Sequence, residues 1–158
     1  MQKKQKYIAI LVSCAMLLIA VFFDLEDEIG GIIDVGQKHE VTYVVDGDTF
    51  DIDTGERIRM IGMDTPERGE PYYKEATDRL KELIEGKEVV LKKDISETDR
   101  YDRLLRHVYV GDDWINKIMI DEGYARFVTF PPDVYHVDIF KEAQRDARKN
   151  NAGLWMKK

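Results

Sequence analysis

Acidic side chains lie at two points of the sequence where the chain is expected to turn. Asp46 and Asp48 flank Gly47 in the string D-G-D-T. Asp64 and Glu67 belong to the string D-T-P-E. Alone, each string is an ordinary acidic turn. If the residues between them form a hairpin, however, Asp48 and Asp64 meet near one end of it, where their like charges favour a cation between them. Hard oxygen ligands with no histidine or cysteine nearby suit Ca²⁺ or Mg²⁺ rather than zinc.

Two arginines are placed where they could bind a phosphate held at such a cation. Arg59 is on the strand that leads to Asp64, and Arg103 ends a charged loop. A guanidinium can donate two parallel hydrogen bonds to a phosphate. Glu67 would remain as a carboxylate able to accept a proton from a water at the cation. Either arginine alone is more simply a surface residue, but the set together predicts chemistry on a phosphate ester.

The elements that must position these residues are short strands and amphipathic helices. Alternating apolar residues predict strands at 39–45, 50–52, 57–63, 89–91 and 104–110. Helical periodicity predicts a first helix that Pro71 opens and Gly86 ends, a second at 114–122 and a third from 133 or 134 to 150. This order predicts an α+β fold, mainly β: a five-stranded OB-fold barrel with three helices. Such a barrel leaves the function open.

Taken in order, the strings resemble those of the staphylococcal nuclease-like (thermonuclease) family over residues 38–156. The family's D-G-D-T turn is matched at 46–49, and its R-x(4)-D-T-P-E signature at 59–67. Its D-K/R-Y-G-R segment is matched at 99–103, and its closing G-L-W at 153–155. Each string is weak by itself, but all of them in order at compatible spacing form a specific pattern.

The resemblance implies an endonuclease that depends on one Ca²⁺ ion and hydrolyses phosphodiester bonds of DNA and RNA to products with 3′-phosphates. The implied metal ligands are Asp48, Asp64 and the backbone carbonyl of Thr65, and the implied catalytic residues are Arg59, Glu67 and Arg103. Both arginines would bind the phosphate and offset its developing charge. Glu67 would act as a base or orient the attacking water.

Two stretches depart from the family pattern near the expected substrate. Asp102 replaces the usual glycine beside the second arginine and brings a negative charge close to the phosphate site. The type member stacks bases on tyrosines after its second helix, whereas residues 127–132 read F-V-T-F-P-P here. Tyr101 and Phe130 are the candidates for contacting substrate. Phe130 is either a stacking platform or a core or loop aromatic.

The composition is that of a globular domain with an acidic balance. Hydrophobic residues make up 44% of the 158 residues, charged residues make up 35%, and the formal net charge is −7. Without Lys3, Lys4 and Lys6 the remainder carries −10. An acidic chain is not expected to bind nucleic acid tightly through charge alone, so binding would rest on a local cationic site and a metal.

Residues 1–23 predict an export signal or a membrane anchor. A cationic start precedes an unbroken apolar run of 17 residues at 7–23, at the low end of the roughly 17–25 needed to span a bilayer. Three alternatives stay open: a retained anchor, a cleaved signal, and lipidation at Cys14. In each, the lysines keep the start in the cytoplasm and place the rest outside. We therefore expect a protein that is secreted or held on the extracellular face of the membrane, with a tether at 24–38 and a nuclease domain at 39–158.

A non-catalytic OB-fold module that binds nucleic acid or a protein is the alternative. Family members of that kind typically lose the arginines or the glutamate, whereas Arg59, Arg103 and Glu67 are all present here. The acidic charge also disfavours simple strand binding. We expect DNA and RNA as substrates, a monomer, and no obligate protein partner.

Overall fold

A computed structural model of the protein describes residues 36–156. The predicted leader at 1–23, including Cys14, lies outside the described residues, as do residues 24–35 of the predicted tether. Within the described part, no helix is long and apolar enough to cross a membrane.

Residues 36–156 form eight strands, three α-helices and a closing 3-10 turn. The strands are β1 (Gln37–Val44), β2 (Thr49–Ile52), β3 (Arg57–Met60), β4 (Met63–Asp64), β5 (Glu88–Lys92), β6 (Leu104–Val110), β7 (Asp113–Trp114) and β8 (Arg126–Phe127). The helices are α1 (Tyr73–Ile84), α2 (Ile115–Asp121) and α3 (Val137–Lys149), and the 3-10 turn is Gly153–Trp155. The first strand thus includes two residues of the predicted tether.

Five of the strands close into a barrel. β1 pairs antiparallel with β2 and with β5, β2 pairs with β3, and β5 pairs with β6. A parallel pairing of β3 with β6, with Ile58 opposite Leu104, completes the ring. The predicted α+β fold, a five-stranded OB-type barrel with three helices, is confirmed.

A bulge in β1 lets this strand serve both sides of the barrel. The strand pairs with β5 over its first half and with β2 from Val41 to Val44, and the register shifts between Val41 and Tyr43. Thr42 and Tyr43 consequently both face outward, while Val41 and Val44 are buried. A bulge bends a strand and increases its twist, which is what closure of a small barrel requires.

The core fills the barrel and continues under the helices. Its largest fully buried side chains come from three barrel strands, β4 and all three helices: Val41, Val44, Phe50, Ile58, Met60, Met63, Leu80, Ile84, Ile115, Met119, Ile120 and Phe140. Burial of such side chains stabilises the fold by roughly 1.5–3 kcal/mol each. This packing holds the turns between the strands in fixed positions.

The third strand is shorter than the sequence predicts. It was expected to run to Met63, but it ends at Met60, and the chain turns at Gly62 before β4. Gly62 has φ 78°, and a Cβ there would lie 2.2 Å from the ring of Phe140. The close approach of α3 requires a glycine at this point and breaks the strand.

Two predicted helix starts are wrong by a few residues. α1 begins at Tyr73 rather than at Pro71, because Tyr72 has a left-handed backbone with φ 72° that no helix can include. α3 begins at Val137 rather than at 133 or 134. The carboxylate of Asp133 instead accepts hydrogen bonds from the backbone N–H of Ile95 and Ser96, at 2.9 and 2.7 Å.

Candidate active site

The two acidic turns lie against each other through Asp48 and Thr65. One carboxylate oxygen of Asp48 accepts hydrogen bonds from the backbone N–H and from the hydroxyl of Thr65, each at 3.0 Å. Both residues are buried. A Cβ on Gly47 would lie 2.8 Å from the hydroxyl of Thr65 and 2.9 Å from Ala76. The glycine between the two aspartates is therefore needed for this close approach, and not for the reversal of the chain.

Arg59 joins the two aspartates that were predicted to meet. Its Nη1 lies 3.0 Å from Asp48 Oδ2, and its Nη2 donates to Asp64 Oδ1 at 3.0 Å. The same guanidinium donates to the backbone carbonyls of Met60 and Met63, at 3.0 and 3.1 Å. Five N–H donors in a rigid plane suit such a set of acceptors. The barrel thus brings Asp48 and Asp64 together and holds the guanidinium of Arg59 beside them.

Negative charge is concentrated at this end of the barrel. Burial raises the pKa of Asp64, and the neighbouring carboxylate of Asp48 raises it further, partly offset by Arg59. Burial also raises the pKa of Asp46, again with a smaller contribution from Asp48. Carboxylates whose ionised forms are disfavoured in this way gain from a nearby cation.

The second predicted arginine is held by an aspartate in its own loop. Arg103 Nε donates to Asp99 Oδ2 at 2.7 Å, and Nη2 of the same side chain lies 2.6 Å from that oxygen. Burial by itself would raise the pKa of Asp99, but hydrogen bonds from Arg103 and from backbone N–H groups outweigh it and lower that pKa. Asp99 therefore stays ionised and orients the guanidinium.

Thr49 connects the two halves of the site. Its hydroxyl donates to Asp48 Oδ1 at 3.0 Å and accepts from Arg103 Nη1 at 3.5 Å. A chain of contacts thus runs from Asp99 through Arg103 and Thr49 to Asp48. Sequence reasoning missed Asp99 and Thr49 as contributors, although both stand inside matched strings, D-G-D-T and D-R-Y-D-R.

The departure at Asp102 has a structural consequence. Asp102 has φ 62°, in the left-handed region that glycine adopts freely. Aspartate tolerates this region better than most residues. This backbone conformation is the reason that the family pattern has a glycine at this point. The aspartate in its place adds backbone strain and a negative charge next to Arg103.

One cleft contains both arginines and both predicted substrate residues. Its volume is about 500 Å³, and its walls are formed by Arg59, Met60, Ile61, Gly62, Met63, Ser96, Asp99, Arg100, Tyr101, Arg103, Leu105, Phe130, Pro131 and Asp133. Tyr101 is 63% exposed and Phe130 69% exposed. Phe130 is therefore not a core aromatic. The guanidinium carbons of Arg100 and Arg103 lie 4.7 and 5.4 Å from the centre of the Tyr101 ring, which is cation–π distance.

Glu67 lies apart from the hydrogen-bonded network. It is exposed, and its backbone N–H and C=O each bond to Glu70, at 2.9 Å. Within residues 36–156, its carboxylate has no hydrogen-bonding or ion-pairing partner. The structure brings Asp48, Asp64, Thr65, Arg59 and Arg103 together, but it does not join the Glu67 side chain to them.

The donors at this site are oxygen atoms, the ligand type that hard cations such as Ca²⁺ prefer. Asp48 and Asp64 supply carboxylate oxygens, and the backbone carbonyl of Thr65 directly follows Asp64 in the second acidic turn. Among residues 36–156, no group of three or more histidine, cysteine, aspartate or glutamate side chains could hold a metal ion. A cation here would therefore complete its shell with backbone oxygen and water, as Ca²⁺ and Mg²⁺ commonly do.

Comparison with known proteins gives one consistent result. The sequence model of the family described as "Staphylococcal nuclease homologue" matches residues 57–157. The chain is 35% identical to the thermonuclease of Staphylococcus intermedius over 129 residues, which cover 76% of this chain and 77% of that protein. It is 35% identical to the thermonuclease of Staphylococcus hyicus, covering 75% and 76% of the two chains. It is 33% identical to the micrococcal nuclease of Shigella flexneri, covering 75% and 73%.

Proposed function

Because this chain belongs to the staphylococcal nuclease family and is a nuclease, we propose that it is a calcium-dependent endonuclease that hydrolyses DNA and RNA and leaves 3′-phosphates. The proposal rests on the network around Asp48. The carboxylates of Asp48 and Asp64 both contact Arg59, and the Thr49 hydroxyl connects Asp48 to Arg103. Both arginines line the same cleft. A phosphodiester in this cleft would lie between two guanidinium groups.

Both arginines are held in position before substrate arrives. Arg59 is fixed by two carboxylates and two backbone carbonyls, and Arg103 is fixed by Asp99. Donors that are already oriented stabilise the negative charge that develops on a phosphate without reorganisation at the moment of reaction. The exposed carboxylate of Glu67 would accept a proton from the water whose oxygen bonds to phosphorus. The bond from phosphorus to the 5′-oxygen would break, and the departing 5′-oxygen would take up a proton from solvent to become a hydroxyl.

Asp48, Asp64 and the carbonyl of Thr65 are the residues that would hold one Ca²⁺. A bound Ca²⁺ would polarise the phosphate and offset its negative charge. Burial and the neighbouring carboxylate of Asp48 both raise the pKa of Asp64. A raised pKa means that the ionised carboxylate is disfavoured, and a bound cation would stabilise it, which supports this assignment. The chain carries a net negative charge, which repels nucleic acid. Substrate binding would therefore depend strongly on the bound cation and on Arg59 and Arg103.

We place this activity outside the cytoplasm. The support is the sequence of residues 1–23, a cationic start followed by an apolar run. The enzyme would be secreted or anchored on the extracellular face of the membrane. Intact mass of the protein recovered from membranes and from medium would distinguish a retained leader, a cleaved one and lipidation at Cys14.

Digestion of plasmid DNA and of RNA tests the proposed activity. We expect cleavage of both in calcium, loss of cleavage in EGTA, and 3′-phosphate ends that a 3′-phosphatase must remove before a polymerase can extend them. Asp48→Asn should remove the calcium-dependent activity, whereas Asp113→Asn, an exposed substitution away from the cleft, should not. Folded wild-type protein that binds nucleic acid without cutting it would instead be the non-catalytic OB-fold module.

Calcium should also be detectable without any reaction. A ligand that binds only the folded state at one hundred times its dissociation constant stabilises that state by about 2.7 kcal/mol. We expect millimolar calcium to raise the urea midpoint of the wild-type protein and not that of Asp48→Asn. The comparison is made within each variant, because loss of the Asp48 charge also affects Arg59 and Thr65 in the absence of metal.

A further inference from the structure

Arg126 lies directly across from one of the predicted metal ligands. The two short strands β4 and β8 pair antiparallel, with Asp64 opposite Arg126 and Met63 opposite Phe127. Side chains of directly opposed residues lie on the same face of a sheet, with their Cβ atoms about 5 Å apart. Met63 is buried, whereas Arg126 is exposed. The side chain of Arg126 is therefore in solvent, on the same face as the carboxylate of Asp64.

The backbone next to Arg126 is held in place from two sides. The backbone N–H of Phe127 donates to the side-chain oxygen of Gln144 on α3, at 3.0 Å. The backbone N–H of Val128 donates to the carbonyl of Gly62, at 3.2 Å. Gly62 is in the turn that leads into β4. The position of Arg126 relative to the acidic site is thus fixed by hydrogen bonds that do not involve its side chain.

The side chain of Arg126 makes no hydrogen bond, ion pair or ring contact within residues 36–156. Arg68, in the turn after Glu67, is the other arginine of this part of the chain for which this holds. The remaining arginines donate to carboxylate or carbonyl oxygens or lie over aromatic rings: Arg57, Arg59, Arg79, Arg100, Arg103, Arg106, Arg145 and Arg148. Arg126 therefore has all its donors available to a ligand.

Asp64 lies near Arg126 but has other partners. Arg59 already donates to Asp64 Oδ1 at 3.0 Å. Burial raises the pKa of Asp64, and the charges of Arg59 and, more weakly, Arg126 partly offset that increase. If Asp64 also binds the proposed cation, little of its negative charge is left for Arg126. An unpaired guanidinium beside a cation site favours an anion from solution, and phosphate accepts two of its hydrogen bonds at once.

We propose that Arg126 binds a phosphate of the nucleic-acid strand that neighbours the phosphate undergoing cleavage. This inference rests on the proposed function and adds a binding residue that is not part of the cleft wall. Phosphates follow one another along a strand, so a phosphate held between Arg59 and Arg103 brings the next ones close to the strand pair of Asp64 and Arg126. In a chain with a net charge of −7, such an unpaired cation would offset repulsion of the strand.

A comparison of two substrates tests the proposal. The first is a single-stranded oligonucleotide, and the second is a nitrophenyl ester of a mononucleotide, which carries a single phosphate. Loss of one hydrogen-bonded contact to a charged group weakens binding about tenfold, so Arg126→Ala should raise KM for the oligonucleotide about tenfold. KM for the ester should stay as in the wild type. Arg126→Lys keeps the positive charge and should recover most of the lost affinity.

The salt dependence of binding gives a readout that does not need cleavage. Each phosphate of a single strand that a cation contacts contributes about 0.7 to the slope of log Kd against log salt concentration. We would measure binding of the labelled oligonucleotide in EGTA by fluorescence anisotropy, and we expect a slope smaller by about 0.7 for Arg126→Ala. Arg145→Ala is the matched control, because it removes one exposed positive charge from α3 and should leave the slope unchanged.

Failure of this inference is distinguishable from failure of the proposed function. Cleavage by the wild type with equal KM, Kd and salt slope in Arg126→Ala would overturn the role of Arg126 alone. An equal rise in KM for both substrates would also overturn it, because the effect would then not come from a neighbouring phosphate. A change only in the calcium concentration that activity requires would mean that Arg126 acts through Asp64, and the proposal would be wrong. Absence of both cleavage and strand binding in the wild type would overturn both proposals.

Discussion

Asp48 accepts two hydrogen bonds from Thr65, one from the backbone N–H and one from the hydroxyl, and both reach the same carboxylate oxygen. This pair fastens the turn after β1 to the turn after β4, two segments that are 17 residues apart in the sequence. Each turn carries one of the carboxylates that Arg59 bridges. The geometry of the site therefore depends on a contact that neither turn could make by itself.

Removal of the Thr65 hydroxyl should destabilise the fold. In Thr65→Val the backbone hydrogen bond to Asp48 remains, but the buried carboxylate loses one donor. Hydrogen bonds to charged groups contribute about 1.5–3 kcal/mol, so we expect a loss of this size in the free energy of unfolding, measured by urea denaturation. Thr129→Val is the control, because Thr129 is exposed. Equal stabilities of the two variants would contradict a structural role for this hydroxyl.

Loss of the second arginine should slow the reaction without unfolding the protein. Removal of one preorganised charge-stabilising donor typically costs about 10²–10³ in rate, so Arg103→Ala should lower kcat by that factor. Circular dichroism should stay unchanged, since Arg103 is not part of the hydrophobic core. Arg145→Ala removes an exposed arginine of α3 and should keep full activity. Near-normal turnover of Arg103→Ala would exclude Arg103 from the mechanism.

Asp102→Gly should stabilise the loop that carries Arg103. A non-glycine residue in the left-handed region costs about 1 kcal/mol, less for aspartate, and the greater freedom of glycine in the unfolded chain offsets part of the relief, so a gain of at most about 0.5 kcal/mol in unfolding free energy is expected. Loss of a negative charge beside the cleft should also lower KM. Asp102→Asn separates the two effects, because it removes the charge and keeps a side chain at φ 62°. A glycine variant less stable than the asparagine variant would contradict the claim that the left-handed backbone at position 102 is strained.

His107 should make the fold sensitive to acid. Burial, assisted by His136, lowers the pKa of His107 to about 3. Its two ring nitrogens have no hydrogen-bonding partner among the described residues. The unfolded histidine has a pKa of about 6.5, so below that pH the unfolded chain binds a proton that the folded chain does not. Stability should therefore fall as pH drops from about 6.5 towards 3, by at most about 1.4 kcal/mol per pH unit.

His107→Phe isolates this contribution. Phenylalanine fills a similar space among the rings of Trp114, His136 and Phe140 and cannot be protonated. Urea denaturation over pH 4–7 should show a shallower fall in unfolding free energy for His107→Phe than for the wild type. Carboxylates with lowered pKa values that do not interact with His107, such as Asp99, contribute equally to both curves. Parallel curves would mean that His107 takes up its proton in the folded state as readily as in the unfolded state.

The strands and helices could be predicted because they depend on local pattern. Alternating apolar residues identify all five barrel strands. The helix α1 starts two residues later than predicted because of the left-handed backbone at Tyr72. The end of β3 depends on Phe140 against Gly62, and the start of α3 depends on Asp133 bonded to the loop at 95–96, which are contacts between distant residues. Such contacts leave no periodic signal in the sequence.

By itself, the sequence determined which groups can do chemistry here: oxygen donors at Asp48 and Asp64, guanidinium groups at Arg59 and Arg103, and a barrel able to carry them. Residue types and local spacing are enough for that. Only the tertiary structure decided that Arg59 lies between the two aspartates and that Thr49 joins Asp48 to Arg103. The reason is that barrel closure through the parallel pairing of β3 with β6 is a long-range contact, and hydrogen-bond partners follow from it rather than from neighbouring residues.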